Sequence, residues 1–226
     1  MHCCSEDMNS AVTIFIGFVL FLVITLISRA AWLLFSRKNE ACEKRDGPIK
    51  TLVVVGSGGH TMEILALLRG LSVKFTPKVY VIADTDKRSQ HKVLEFEKSK
   101  IAEFDGKSEF NIRRIPRSRE VGQSYLTSVI STVVSSFFSF SMVIQEMPDL
   151  ILCNGPGTCV PVCICGFLLK LLMVKDIKVV YIESICRVKS LSLSAKILYY
   201  VVDRLIVQWP ELCEKYSRTV YLGRTI

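Results

Sequence analysis

The chain has 226 residues, 29 Lys or Arg against 21 Asp or Glu, and a formal net charge of +8. That length holds one α/β domain with an appendage and falls short of two full nucleotide-binding domains. Half the residues are hydrophobic and mean hydropathy is +0.37; the basic excess suits anionic headgroups or phosphate-bearing ligands, and without a recognition motif nucleic acid is set aside.

The first predicted element is a membrane span. Residues 8–28, MNSAVTIFIGFVLFLVITLIS, carry no charge. At about 1.5 Å of rise per residue they reach roughly 30 Å, the thickness of a bilayer core. Arg29, Arg37, Lys38, Lys44 and Arg45 follow, whereas Glu6 and Asp7 precede. The positive-inside rule then puts the N-terminus outside or in a lumen and the remainder in the cytosol. A cleaved signal peptide would need a basic n-region and a shorter apolar run. The expected organisation is a short N-terminus at 1–10, an anchor at 11–35, a linker at 36–48 and a cytosolic domain at 49–226.

Beyond the linker, short apolar runs alternate with helical patterns. Strands are predicted at 49–55, 78–83, 111–115, 150–153, 179–182 and 204–207, with a last short one at 220–222. Helices are predicted at 61–71, 88–98, 124–145, 159–173 and 193–201. This alternation implies βαβ units and a parallel sheet with helices on both faces. Residues 124–145 are uncharged but rich in Ser and Thr, with apolar groups at helical spacing. That fits a helix on the sheet, its outer side free to touch a bilayer. Residues 158–174 are interrupted by Pro161 and Lys170, which favours a buried domain helix. The nine cysteines show no CxxC spacing and read as small buried hydrophobes in a reducing compartment.

The stretch VVVGSGGHTMEIL, residues 53–65, breaks a strand at Gly56 and opens a helix near Thr61. Ligands of parallel α/β sheets bind beyond the carboxyl ends of the strands. Glycines let backbone approach a phosphate, and the free N–H groups of the following helix favour negative charge. A P-loop lysine is missing. Gly56 and Gly58 fit a dinucleotide fingerprint, but its third glycine is Thr61, and Asp84 is too distant for the ribose acid. A nicotinamide-binding, membrane-tethered oxidoreductase is therefore a poor match. His60 sits where a helix dipole disfavours the imidazolium. Chemistry alone leaves two readings: a neutral general base beside a bound hydroxyl, or a histidine that only caps the helix or hydrogen-bonds a ligand.

Six stretches taken together carry a resemblance: VVVGSGGHTMEIL, VIADTDK, RIPRSREVGQS, PDLILCNGPGTCVPVC, VVYIESICRV and IVQWPELCEKY. In order and over about residues 50–226, the chain resembles the asparagine-linked glycosylation protein fourteen family. That family supplies the membrane-anchor subunit of the transferase that adds the second N-acetylglucosamine to dolichol-diphosphate-N-acetylglucosamine. It is similar in turn to the N-terminal half of the bacterial transferase that makes lipid II. The resemblance implies one Rossmann-like, doubly wound domain, half of a GT-B glycosyltransferase, on the cytosolic face of the endoplasmic reticulum. The implied partners are a separate cytosolic subunit carrying the UDP-sugar, the dolichol-diphosphate-linked acceptor and membrane lipids. No cofactor and no metal are expected, and the chain is expected to be inactive alone. A purely non-catalytic scaffold is the competing role.

Residue by residue, the resemblance assigns Gly56, Ser57, Gly58, Gly59 and His60 to an acceptor loop, with His60 the candidate base for the acceptor's 4-hydroxyl. Asn154, Gly155, Pro156, Gly157 and Thr158 match a second glycine-bearing loop that contacts phosphate or sugar. Glu183 is expected in the cleft. The bacterial relatives carry His-Glu-Gln-Asn there and only the Glu has a counterpart, so roles for Tyr181 and Ser184 stay open. Arg114, Arg117 and Arg119 are expected to meet the acceptor diphosphate or anionic lipid, against the alternative of a solvated basic loop. Asp84–Asp86 resembles the metal-binding DxD of a different transferase class and reads here as a turn capping the next helix. Tyr221, Leu222, Thr225 and Ile226 are expected to dock on the partner subunit.

Overall fold

The computed structural model describes residues 3–35, 47–103, 109–116, 125–155 and 157–223. Arg117, Arg119, Pro156, Thr225, Ile226 and most of the linker fall outside them. Two compact units divide the chain, at 1–41 and 42–226.

The first unit is the helix α1, Cys3–Phe35. Its stretch Val12–Phe35 is, among the described residues, the one helix long and apolar enough to cross a membrane. The span extends beyond the uncharged 8–28 core because Arg29 is followed by Ala30, Ala31, Trp32, Leu33, Leu34 and Phe35, a second apolar turn and a half.

The second unit is built on seven strands: β1 Thr51–Val55, β2 Lys78–Ala83, β3 Phe110–Ile115, β4 Leu150–Asn154, β5 Lys178–Ile182, β6 Arg204–Val207 and β7 Thr219–Tyr221. They form one sheet in the order β3-β2-β1-β4-β5-β6-β7, parallel at every pairing. The helices between them are α2 Gly59–Arg69, α3 Lys87–Glu103, α4 Tyr125–Glu146, α5 Cys159–Leu171, α6 Leu193–Leu198 and α7 Pro210–Lys215. The doubly wound sheet expected from the alternation is present. The short α7 is an addition: Pro210 at its first positions presets the helical φ, but six residues show no apolar period.

Central strands carry apolar side chains on both faces, so β1 reads TLVVV and is buried throughout. One face, with Val53, Val55, Tyr80 and Ile82, packs under Ile64, Leu65 and Leu68 of α2 and Val93 and Phe96 of α3. The other, with Leu52, Val54, Ile151 and Val179, packs under Val143 of α4, Val162 and Leu169 of α5, Leu198 of α6 and Leu212 of α7. Each fully buried aliphatic chain contributes about 1.5–3 kcal/mol. Cys153, Cys159, Cys163 and Cys165 belong to this second layer, as expected, while Cys186 is exposed. At one rim, Glu146 is held by Lys50 at 2.8 Å and Arg113 at 2.6 Å.

The order runs outward in opposite directions from β1 and β4. Their connections leave on opposite faces, which opens a crevice beyond their carboxyl ends. Val55 and Asn154 stand at its two lips.

Candidate functional site

The first lip is the turn from β1 into α2. Gly58 adopts φ 67° and ψ −123° and precedes the helix, a backbone state that L-residues avoid. Ser57, Gly58 and Gly59 are exposed, and a Cβ built on Gly58 or Gly59 would meet nothing within 4 Å. The first N–H groups of α2 lack intrahelical partners and open onto this space. Thr61 occupies the place of a dinucleotide fingerprint's last glycine. It is fully buried, and its hydroxyl donates back to the Gly56 carbonyl and meets Ser89 Oγ at 2.7 Å.

The second lip is the turn from β4 into α5. Gly155 has φ 72°, and a Cβ there would fall 2.3 Å from both Cε1 and Nδ1 of His60. The imidazole therefore lies flat against a position that tolerates only glycine. Gly157 is exposed with nothing within 4 Å of its notional Cβ, and Thr158 precedes α5 without a side-chain cap bond.

His60 joins the two lips. Its Nδ1 is 3.0 Å from Oδ1 of Asn154 and 3.3 Å from Oε2 of Glu63. The side chain is 35% exposed, and among the described residues the nitrogen without a hydrogen-bond partner is Nε2. Asn154 is fully buried, and its Nδ2 is one of two buried side-chain polar atoms without a hydrogen-bond partner among the described residues. Glu63 was not singled out from the sequence. Its other oxygen, Oε1, accepts from Ser184 Oγ at 2.8 Å and the Ile185 N–H at 3.3 Å. The signal was present: His60 and Glu63 are three apart, hence neighbours on one helix face.

Glu183 differs from its expected place in the cleft. It is fully buried; Oε1 accepts from the Ser184 N–H at 3.1 Å and Oε2 from the Ser192 N–H at 2.8 Å. Both oxygens are spent on backbone, so this carboxylate shapes the loop after β5 and does not face the crevice. Tyr181 and Ser184 acquire positions instead. The Tyr181 hydroxyl donates to the Gly155 carbonyl at 3.4 Å and meets Ser192 Oγ at 3.3 Å. Burial, then the nearby Cys159 and Glu183, push this phenol far above its usual range, which keeps it a donor.

Arg114 lies on β3, two strands out from β1, exposed and bonded to Gln90 Oε1 at 2.6 Å. The structure does not bring it to the His60–Asn154 pair. Asp86 caps α3, accepting from the Ser89 N–H at 3.0 Å and Ser89 Oγ at 2.7 Å, as the helix-capping reading required. Tyr221 and Leu222 are exposed at the carboxyl end of the far edge strand β7, 40% and 63% open.

Comparison with known proteins agrees with this fold. The solved structure of Acinetobacter baumannii MurG shares the fold, with TM-score 0.54 and 16% identity over 77% of this chain; the match spans 45% of that protein. A mouse protein named UDP-N-acetylglucosamine transferase subunit ALG14 is 52% identical over 181 residues, 79% of this chain and 83% of its own. The Schizosaccharomyces pombe protein of the same name is 41% identical over 220 residues, 96% of this chain and 99% of its own. The family described as oligosaccharide biosynthesis protein Alg14 like matches residues 51–225, and the chain belongs to that family.

Proposed function

We propose that this chain is the acceptor-binding, membrane-anchoring subunit of a UDP-N-acetylglucosamine transferase. It works on the cytosolic face of the endoplasmic reticulum and adds the second sugar, β-1,4, to N-acetylglucosaminyl-diphosphodolichol. The relatives' shared name, a subunit of such a transferase, supports both the reaction and the need for a further chain. That chain would bring the UDP-sugar to the open side of the crevice, with Tyr221, Leu222, Thr225 and Ile226 as its contact.

The observation that carries the chemistry is His60 lying on Gly155 at the switch point, between two open glycine turns. The diphosphate would sit against the N–H groups at Gly58–His60 and Gly157–Cys159, where helix N-termini favour anions. Asn154, whose buried Nδ2 has no hydrogen-bond partner among the described residues, stands at the same lip. Arg117 and Arg119 remain expected diphosphate or headgroup contacts. In transfer, the acceptor 4-hydroxyl oxygen bonds to the anomeric carbon as the bond to UDP breaks. UDP departs with the electron pair and His60 Nε2 takes the hydroxyl proton. One base and one displacement invert the anomeric centre, as an α-linked donor and a β product require.

α1 supports the anchor. Exposed Phe137 and Phe138 on α4, with Leu172, Met173 and Val174 after α5, support additional lipid contact by the cytosolic unit.

The test is purification from membranes with the donor-binding subunit, then transfer from UDP-N-acetylglucosamine to a dolichol-linked acceptor. Activity is expected from the pair and not from this chain alone. Full turnover by the purified chain alone would end the split-enzyme reading.

A further inference from the structure

Glu63 has no assigned role, and its geometry is hard to explain as packing. A carboxylate is acceptor-only when ionised, and Glu63, 10% exposed, divides its oxygens between two elements. Oε1 takes Ser184 Oγ and the Ile185 N–H from the loop after β5; Oε2 faces His60 Nδ1. Asn154 Oδ1 faces the same nitrogen from β4. Two acceptors meet at Nδ1, so the proton belongs there. Rotating the Asn154 amide would aim an N–H at a nitrogen that already confronts a carboxylate.

We infer that Glu63 is the positioning residue of His60: with Asn154 it holds the imidazole as the Nδ1–H tautomer, flat on Gly155, and leaves Nε2 as the proton-accepting atom. Carboxylates that orient a working histidine through its second nitrogen are a recurrent device. The inference rests on the base reading of His60. Among the described residues, the elements packed on the ring are these. α2 contributes Glu63; the end of β4 contributes the neutral Asn154 and Gly155. From the loop after β5, Ser184 touches the far oxygen of Glu63, while Glu183 is committed to backbone N–H groups. Among the described residues, Glu63 is the charged group bonded to His60.

The test has two arms. The chain has three histidines, so 15N-histidine spectra of the full chain in lipid nanodiscs are tractable, His60 being assigned by the signal lost in His60→Asn. The wild type is expected to show neutral His60 as Nδ1–H, and Glu63→Gln to shift it toward Nε2–H. Ser184→Ala, which touches only the other oxygen, should keep the wild-type tautomer. Nε2–H in the wild type, or one tautomer in both wild type and Glu63→Gln, overturns the inference without needing the variant to be active.

In the reconstituted complex, Glu63→Gln should lower kcat by about 10²–10³-fold with acceptor KM nearly unchanged, somewhat less than the ~10⁴-fold of a triad aspartate. Glu63→Asp, which keeps a carboxylate facing Nδ1, should recover part of the rate and the Nδ1–H tautomer. A normal rate, or a lost rate with the wild-type tautomer kept, assigns Glu63 to structure only. A near-normal rate in His60→Ala instead removes the base reading, which the tautomer spectrum does not depend on, so the two failures are read apart.

Discussion

Two glycine-bearing turns face each other across the crevice and do different work. The turn after β1 delivers a side chain: it is exposed, opens a helix of eleven residues and carries His60. The turn after β4 delivers a surface: Gly155 gives up its side chain so that the imidazole can lie on its Cα, and Tyr181 steadies its carbonyl. On the proposed reading of His60, similar composition at equivalent strand ends encodes a reagent in one place and its seat in the other. What separates them is which residue sits just beyond the glycines and what packs from the neighbouring strand.

Substitutions can break that division. The largest effect is expected from His60→Ala, which should lower turnover of the reconstituted complex by roughly 10²–10⁴-fold while the protein stays membrane-bound. A near-wild-type rate would return His60 to helix capping. Gly155→Ala comes next. Its Cβ would land 2.3 Å from the ring, and a displaced base is expected to cost on the order of 10²-fold in kcat, with about 1–3 kcal/mol of backbone strain. Gly58→Ala is the matched control: positive φ again, but open space around it. It should lose about 1–3 kcal/mol and raise acceptor KM with kcat largely kept. If the two alanines affected kcat equally, the seat-and-reagent distinction would collapse.

Smaller effects test the scaffold. Glu183→Gln should destabilise the fold by about 1–3 kcal/mol of lost hydrogen bonding, read as a lower melting temperature, and leave kcat of the reconstituted complex nearly unchanged. A large loss of kcat in the folded variant would put Glu183 back into the chemistry. The weakest is Glu146→Gln. Burial alone would raise this carboxyl, but hydrogen bonds from Lys50 and Arg113, and their charges, hold it below its ordinary value of 4.5. A depressed folded-state pKa stabilises the protein above that ordinary value, and the gain is lost as pH falls through the lowered one. Arg113 is 45% exposed, so the expected loss at neutral pH is under about 1 kcal/mol. It should vanish in acid; a difference persisting below both values would point to packing, not charge.

Much of the fold was legible because its signals are local. TLVVV and KVYVIA are short apolar runs ended by Gly or Asp, and the helices between them repeat apolar residues at helical spacing. What escaped depends on pairings far apart in the chain. Glu63 was not singled out because its partner Ser184, 121 residues away, reaches it only from the loop after β5. Glu183 looked like a cleft acid until the loop folded Ser192 back over it. The position of His60 was legible; its contact with Asn154, 94 residues on, needed the β1–β4 pairing that no local pattern announces.

The cysteines behind the second lip have a practical consequence. Thiolate is the form that alkylates and oxidises. Burial, then hydrogen bonding with Cys159 and Cys163, raises the Cys153 thiol, and burial pushes Cys165 up to about 12. The wall beneath Asn154 is thus chemically quiet. Cys186 is exposed two residues beyond Ser184, so among the described thiols it is the natural attachment point for a maleimide fluorophore. A dye there would sit beside the loop that touches Glu63 and could follow events at the crevice in the intact, membrane-held protein.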